Sequence, residues 1–337
     1  MRRAPATRPA IRMLLAWLLV SVALLLAPAV AGAHSRVLFS DPADKAVVPT
    51  APQQLRLLFS ANVTVQRGSI QVFDPDGRRV DSGPPATPGA ATLVTQRLKA
   101  AARGTYGVSY RVSSEDGHVI TGTLSFSVGA SGAESDAART ATNDAAHVDR
   151  GLQAAFSTTR FIEVLALLVA AGGGLFACLI APGWRPRWVI GALVVLLVSY
   201  ASGYVLNAAL AHGDGLAGAF DWDAIRASQD TPFALSVRIR ALVAVVAIGP
   251  AFVLRAQADR LAPVARWLLA IVFAGLAASM SITGHAVTTS PIELRMPIDM
   301  MHVIAAAIWI GGLVQLPALA PVVHQHVDWI RRFSRAA

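Results

Sequence analysis

The sequence has very little cysteine and few charged residues. Cys178 is the one cysteine among 337 residues, so no disulfide can form within the chain and a thiolate metal site lacks partners. It lies in an apolar run, where we expect a small buried hydrophobic residue. Charged residues make up 15% of the chain, against about 25% in a typical soluble domain. Residues 156–323 account for the shortage and have the composition of membrane helices, whereas residues 34–155 have that of a soluble domain.

Acidic residues are absent from the first twelve positions, which contain four arginines. An apolar run, Met13–Val30, follows, and then the small residues Ala31-Gly32-Ala33. This three-part pattern is typical of a secretory signal peptide. We therefore expect a signal peptide at 1–33 and a mature protein that begins at His34. An uncleaved anchor helix is the alternative, because the run is long enough to span a bilayer.

The formal net charge of +9 would indicate nucleic-acid binding only if the basic residues formed a patch on a folded surface. Instead, arginines precede the signal run or lie in short segments between apolar runs, which is typical of membrane topology signals. We therefore expect no nucleic-acid partner. The arginines that follow this pattern, in short loops at the predicted membrane boundaries, are Arg185, Arg187, Arg255, Arg260, Arg266, Arg331, Arg332 and Arg335.

The soluble part shows the pattern of β-strands. Apolar residues alternate in three short segments, with turn residues such as Asp74-Pro75-Asp76-Gly77 between them. Short alternating strands without a helical period predict a small antiparallel sandwich or barrel. The alternating residues are Leu55, Leu57 and Phe59, then Tyr106, Val108, Tyr110 and Val112, then Leu124, Phe126 and Val128.

Two places in this domain offer metal ligands. Cleavage after Ala33 would give His34 a free α-amine, and amine plus imidazole is a nitrogen set that suits Cu(II). Asp116 and His118 flank Gly117 in a predicted tight turn, where residues i and i+2 can project to one side. Either signal alone is weak, since a DG turn is usually a solvated loop.

The same residues resemble a known family. His34–Asp44, Pro52–Ser60 and above all Gly104–His118 are similar to the CopC family of periplasmic copper proteins. The resemblance implies a Greek-key, immunoglobulin-like β-sandwich that binds Cu(II) through His34, Asp116 and His118. Some family members carry a second, Cu(I) site rich in methionine. This sequence has no methionine between Met13 and Met280, so we expect Cu(II) only.

A linker and five membrane spans are predicted after the sandwich. The sandwich is expected at 34–129, a flexible linker containing His147 at 130–156, and the membrane domain at 157–337. With the sandwich on the periplasmic side of the cytoplasmic membrane, most arginine-rich loops lie inside, although Arg238 and Arg240 go against this rule. The predicted spans are Phe161–Pro182, Trp188–Leu206, Ser236–Leu254, Trp267–Val287 and Ile298–Pro317.

Histidines near the outer ends of the last two spans are candidates for a membrane copper site. His285 lies in Gly284-His285-Ala286, and Asp299 and His302 share one helical face. We expect His285 and His302 to face the bundle as neighbours. Together with the Trp309-x-Gly311-Gly312-Leu313 pattern, they resemble the CopD family of copper-transporting membrane proteins. That family usually continues for further helices, so the chain resembles a CopC/CopD fusion in a shortened form.

The sequence therefore predicts a protein that is not an enzyme. It would capture Cu(II) outside the membrane and pass it to the domain embedded in the lipid bilayer, for copper uptake or copper resistance. Its expected partners are the copper ion and other copper-handling proteins. Two alternatives stay open. The first is a copper monooxygenase, since such enzymes also bind copper through an N-terminal histidine, although Asp116 could occupy the coordination position where oxygen must bind. His285 and His302 could instead be axial haem ligands in an electron-transfer protein.

Overall fold

The computed structural model describes a β-sandwich followed by a helical region. The described residues are 36–87, 91–99, 102–114, 117–213, 215–282, 292–319 and 327–336. Nine strands form the sandwich: β1 (Val37–Asp41), β2 (Ala46–Val48), β3 (Gln54–Phe59), β4 (Val63–Thr64), β5 (Ile70–Phe73), β6 (Asp81–Ala86), β7 (Leu93–Leu98), β8 (Gly104–Ser114) and β9 (Val119–Val128). The predicted signal peptide at 1–33 lies outside the described residues.

The strands divide into two sheets. One has the order β1-β3-β7-β6, and the other has the order β2-β9-β8-β4, with β5 also paired to β8. The longest pairing is between β8 and β9, which run antiparallel from the Gly104–Val128 pair to the Ser113–Val119 pair. The β8–β9 hairpin therefore places the segment around His118 at one end of the sandwich.

Alternating apolar residues from both sheets fill the space between them. Leu55, Leu57 and Phe59 are almost fully buried on β3, and Tyr106 stacks on Phe126 with ring centroids 5.1 Å apart. Burial of each such side chain contributes roughly 1.5–3 kcal/mol relative to exposure. The sandwich predicted from the alternation is thus confirmed.

The segment predicted as a flexible linker is partly helical. Helix α1 (Asp136–Ala146) begins at Ser135, whose hydroxyl accepts from Ala138 N at 3.1 Å. Ala138 and Thr142 are buried, because α1 covers the outward face of β8. Because α1 covers it, β8 is buried on both faces, whereas the sequence predicted alternating buried and exposed residues on this strand. The alanine-rich composition that suggested a tether also favours a helix.

Seven further helices follow among the residues that the structure describes. They are α2 (Arg150–Leu175), α3 (Val189–His212), α4 (Trp222–Ala227), α5 (Pro232–Gln257), α6 (Pro263–Ala278), α7 (Ile292–Leu319) and α8 (Val327–Ala336). A π-helical turn, Phe176–Ile180, extends α2, and 3-10 turns lie at Gly215–Phe220, Ala258–Arg260 and Ser279–Ile282. Within the described part of the chain, five stretches are long and apolar enough to cross a membrane: Asp136–Ile180, Val189–His212, Pro232–Arg260, Pro263–Ile282 and Glu293–Ala318.

Small residues allow α2 and α7 to pack closely. A Cβ added to Gly172 would overlap Ala307 O, and one added to Gly311 would lie 2.6 Å from Gly172 Cα. Ala307 and Gly311 are four residues apart, so they form a small-residue face of the kind that joins membrane helices. The predicted fold class, a β-sandwich followed by a bundle of long apolar helices, is confirmed.

Candidate metal centre and the polar groups beneath it

The turn between β8 and β9 carries the one predicted soluble-domain ligand that the structure describes. Gly117 N donates to Ser114 O at 2.9 Å, and Ser114 N donates to His118 O at 2.9 Å. Ser114 Oγ donates to the same His118 oxygen at 3.0 Å. Gly117 has φ of 87°, a left-handed conformation that glycine adopts without strain. These bonds fix the main chain that presents His118.

The side chain of His118 is exposed, while its main chain is held by the bonds to Ser114. His34 and Asp116 lie outside the described residues, and their approach to His118 stays a prediction. Among the residues that the structure describes, no three His, Cys, Asp or Glu side chains form a metal-binding group. An exposed imidazole in a fixed turn suits a metal that is loaded and released rather than one buried permanently.

The other side of this turn rests on the helical region. Asn207 Nδ2 on α3 donates to Gly117 O, and Asn207 is buried. Phe233 on α5 packs so closely on Gly117 that an added Cβ would lie 2.5 Å from Phe233 Cδ2. Phe156 on α2 meets Phe233 edge to face, with centroids 6.4 Å apart. We call Phe156, Asn207 and Phe233 the upper layer.

A cluster of charged residues lies one layer deeper on the same three helices. Glu163, Tyr200 and Arg240 are each seven residues from an upper-layer residue, which is about two helical turns, or ~10 Å, along the same face. Arg240 Nη1 donates to Glu163 Oε1 at 2.8 Å, and the Arg240 guanidinium lies 5.3 Å from the centre of the Tyr200 ring. We call Glu163, Tyr200 and Arg240 the lower layer.

A second arginine shares the Glu163 carboxylate. Arg160 Nη1 donates to Glu163 Oε1 at 2.7 Å and to Oε2 at 2.9 Å. The side chains of Glu163 and Arg240 are 5% and 1% exposed, so two guanidinium groups and one carboxylate sit together in a largely dry region with net positive charge. Within the described residues, Arg240 Nη2 has no hydrogen-bond partner.

This ion pair was not predicted from the sequence, which indicated only that Arg240 departs from the expected charge distribution. The structure gives the reason: Arg240 is not a loop residue but lies inside α5 and pairs with Glu163 on α2. Ionisable residues within membrane spans are rare and usually paired. One acid, Glu163, in the first predicted span and two arginines, Arg238 and Arg240, in the third could therefore have indicated a contact between these spans.

Of the two predicted membrane histidines, the structure describes His302. His285 lies outside the described residues. His302 is on α7 with Asp299 three residues before it, but its side chain is exposed at the surface of the described helices. The expectation that His302 faces the bundle is therefore wrong for this part of the chain. Helix α7 turns Ala307 and Gly311 toward α2, which directs other positions of α7 outward.

The structure also describes Cys178 and His147, neither of which was predicted to bind a metal. Cys178 is buried in the π-helical turn that extends α2. His147 ends α1, and its main-chain oxygen accepts from Arg111 Nη2 at 2.6 Å.

Two family models match the chain. Residues 37–129 match the CopC domain, and residues 151–292 match the N-terminal domain of copper resistance protein D-like proteins. The two matched segments correspond to the β-sandwich and to most of the helical region.

Two curated proteins are similar to this chain. The copper transport protein CutJ of Bacillus subtilis is 25% identical over 334 residues, which cover 94% of this chain and 60% of that protein. The copper resistance protein C of Xanthomonas campestris pv. juglandis is 32% identical over 117 residues, which cover 32% of this chain and 91% of that protein. The chain thus spans about three fifths of its full-length relative.

Solved structures match the sandwich region. CopC from Methylosinus trichosporium OB3b is 30% identical, with 28% of this chain and 93% of that chain covered and a TM-score of 0.26. PcoC, a methionine-rich copper resistance protein from Escherichia coli, is 25% identical, with 28% and 99% covered and a TM-score of 0.25.

Proposed function

Because this chain belongs to the CopC/CopD family of copper transport and copper resistance proteins, which are binding and transport proteins and not enzymes, we propose that it captures Cu(II) and passes it to its own membrane region. The ligands in this proposal are the His34 amine and imidazole, the Asp116 carboxylate and the His118 imidazole. Copper is the cargo, and the helical region is its receiver.

The observation that carries this proposal is the position of the β8–β9 turn. His118 is exposed at the end of the sandwich that contacts the helices, where Gly117 meets Asn207 and Phe233. A metal ion bound at His118 would therefore lie beside the membrane region rather than at the far end of the sandwich. Nitrogen and oxygen ligands of this kind suit Cu(II).

The direct test replaces His118 with alanine in the full chain. Even changes beside a metal ligand weaken binding 10–100-fold, so we expect loss of the imidazole itself to weaken Cu(II) binding at least ~100-fold. Asp116→Ala should have a smaller effect, because imidazole is the stronger Cu(II) donor. Competition titration of the purified protein with a Cu(II) chelator measures both. His147→Ala is the matched control and should bind normally; an equal loss there would mean that scattered histidines bind the metal.

We also place the sandwich on the periplasmic side of the cytoplasmic membrane. The support is the signal-peptide pattern of residues 1–33 together with the arginine-rich segments, which on this arrangement face the cytoplasm. The Cu(II) site would then meet copper before it enters the bilayer.

In the membrane half, His285 and His302 are proposed as a copper-receiving pair. The support is the sequence pattern: Gly284-His285-Ala286 and the Asp299–His302 spacing on one helical face resemble the CopD family. His285→Ala and His302→Ala should each abolish the effect of the protein on cellular copper, because each removes a ligand, while Cu(II) binding by the purified protein is unchanged. Elemental analysis of cells measures the effect, and Cys178→Ala is the control. Normal copper content in both correctly inserted variants would remove these histidines from the proposal.

A further inference from the structure

The turn that carries His118 is joined to the membrane region through its main chain. The acceptor for Asn207 Nδ2 is the carbonyl of Gly117, and the Phe233 ring occupies the space that a side chain at Gly117 would need. The imidazole of His118 takes no part in these contacts and stays exposed. Attachment of the turn and coordination of a metal therefore use different groups.

Burial of Asn207 gives this contact its specificity. A buried amide without a hydrogen bond costs roughly 1–3 kcal/mol, and Asn207 is 5% exposed near the C-terminal end of the apolar helix α3. The amide donor is satisfied by Gly117 O across the boundary between sandwich and helices. Separation of the two parts would leave both groups without this partner.

Arg111 on β8 provides a second attachment. Its guanidinium donates to Leu210 O at 3.1 Å, to Ala145 O at 3.2 Å and to His147 O at 2.6 Å. These carbonyls lie at the C-terminal ends of α3 and α1, where a positive charge is favourable. A single buried side chain thus ties the sandwich to two helices.

A third contact lies further from the turn. Gln66 Nε2, between β4 and β5, donates to Ser228 Oγ at 3.2 Å, just after α4. The attachment therefore extends from the β8–β9 turn to the loop that follows β4. Three separated contacts define one orientation of the sandwich rather than a hinge.

We propose that Asn207 and Phe233 are positioning residues that dock the β8–β9 turn on the membrane region, so that copper leaves the turn while the sandwich is docked. This inference rests on the proposed function for its cargo. The predicted flexible linker implied that the sandwich moves freely as a copper carrier, whereas the three contacts hold it in place. The turn therefore delivers copper at one fixed place, above the ends of α2, α3 and α5.

Site-directed cross-linking of the full chain in lipid nanodiscs tests the docking. In a Cys178→Ala background, the Gln66→Cys/Ser228→Cys pair should be joined by a short bismaleimide, whereas the Ser82→Cys/Ser228→Cys pair, with Ser82 on the other sheet, should not. Asn207→Leu keeps the size of the side chain and removes the donor, so the equilibrium constant for docking should fall about tenfold, the effect of losing one buried hydrogen bond, and the cross-linking yield should fall with the docked fraction. Phe233→Ala is the second variant.

Ser199→Ala is the matched control, because Ser199 is also buried on α3 but bonds only to its own helix, at Val195 O. Its cross-linking should equal that of the parent. Mass spectrometry of the digested protein quantifies the link. Unchanged cross-linking in both Asn207→Leu and Phe233→Ala, or no link in the parent pair, would overturn the docking.

Copper measurements separate this inference from the function on which it rests. Asn207→Leu should keep parental Cu(II) affinity and lose most of the effect on cellular copper. Reduced cross-linking with normal cellular copper would overturn transfer from the docked state. Absence of Cu(II) binding by the parent chain would overturn the proposed function, whatever the cross-linking shows.

Discussion

Replacing Glu163 with alanine is expected to destabilise the helical region by about 3–5 kcal/mol, the usual cost of leaving buried charges without their partner. Glu163 accepts hydrogen bonds from both Arg160 and Arg240, and Arg240 is 1% exposed. Without the carboxylate, the partners that remain to the Arg240 guanidinium among the described residues are the Ser236 carbonyl, at 3.4 Å, and the face of Tyr200. Denaturant unfolding in detergent, followed by circular dichroism, measures the change.

Two further variants make this expectation specific to the ion pair. Glu163→Leu combined with Arg240→Leu should be less destabilising than Glu163→Ala alone, because removal of both charges also removes the cost of burying them. Arg238→Leu is the control, since Arg238 is exposed and bonds to Gln229 O at 2.8 Å. Equal stability of the Glu163→Ala variant and the parent would show that this pair contributes nothing.

An alanine inserted between Ala33 and His34 is expected to weaken Cu(II) binding at least ~100-fold, since it removes a direct ligand and changes beside a ligand already cost 10–100-fold. After cleavage, the α-amine would belong to the inserted alanine, and His34 would offer only its imidazole. Amine and imidazole of one residue close a chelate ring, which an imidazole alone cannot. Chelator competition with the mature full-length protein measures the affinity.

Mass spectrometry of the mature protein is part of this experiment, because the argument requires cleavage directly after Ala33, so that the inserted alanine is the first residue. Ser35→Ala is the matched control: it changes the next side chain but leaves the His34 amine free. Equal affinities of the insertion variant and the control would exclude the N-terminal chelate, and the metal would then depend on Asp116 and His118 alone.

The elements of this protein with a local periodic pattern could be predicted from its sequence. Leu55, Leu57 and Phe59 alternate because β3 has one face in the core, and that pattern is visible in three residues. The five apolar spans are equally local, since length and hydrophobicity suffice to identify them. His118 was identified by its turn chemistry together with the family resemblance.

Features that depend on contacts between distant segments could not be predicted in the same way. Glu163 and Arg240 are separated by 77 residues, and neither has a sequence neighbour that indicates its partner. Helix α1 was mistaken for a tether because its stability depends on covering β8, not on an apolar stripe of its own. The outward position of His302 follows from which face of α7 meets α2.

The equal spacing of the upper and lower layers has a mechanical consequence. Phe156 and Glu163 share one face of α2, Phe233 and Arg240 share one face of α5, and Asn207 and Tyr200 share one face of α3. Rotation of any of these helices must turn both of its layers through the same angle. Docking of the sandwich and formation of the Glu163–Arg240 contact are then linked equilibria. Because linkage is reciprocal, undocking changes the equilibrium constant of this contact by the same factor by which loss of the contact changes the equilibrium constant of docking.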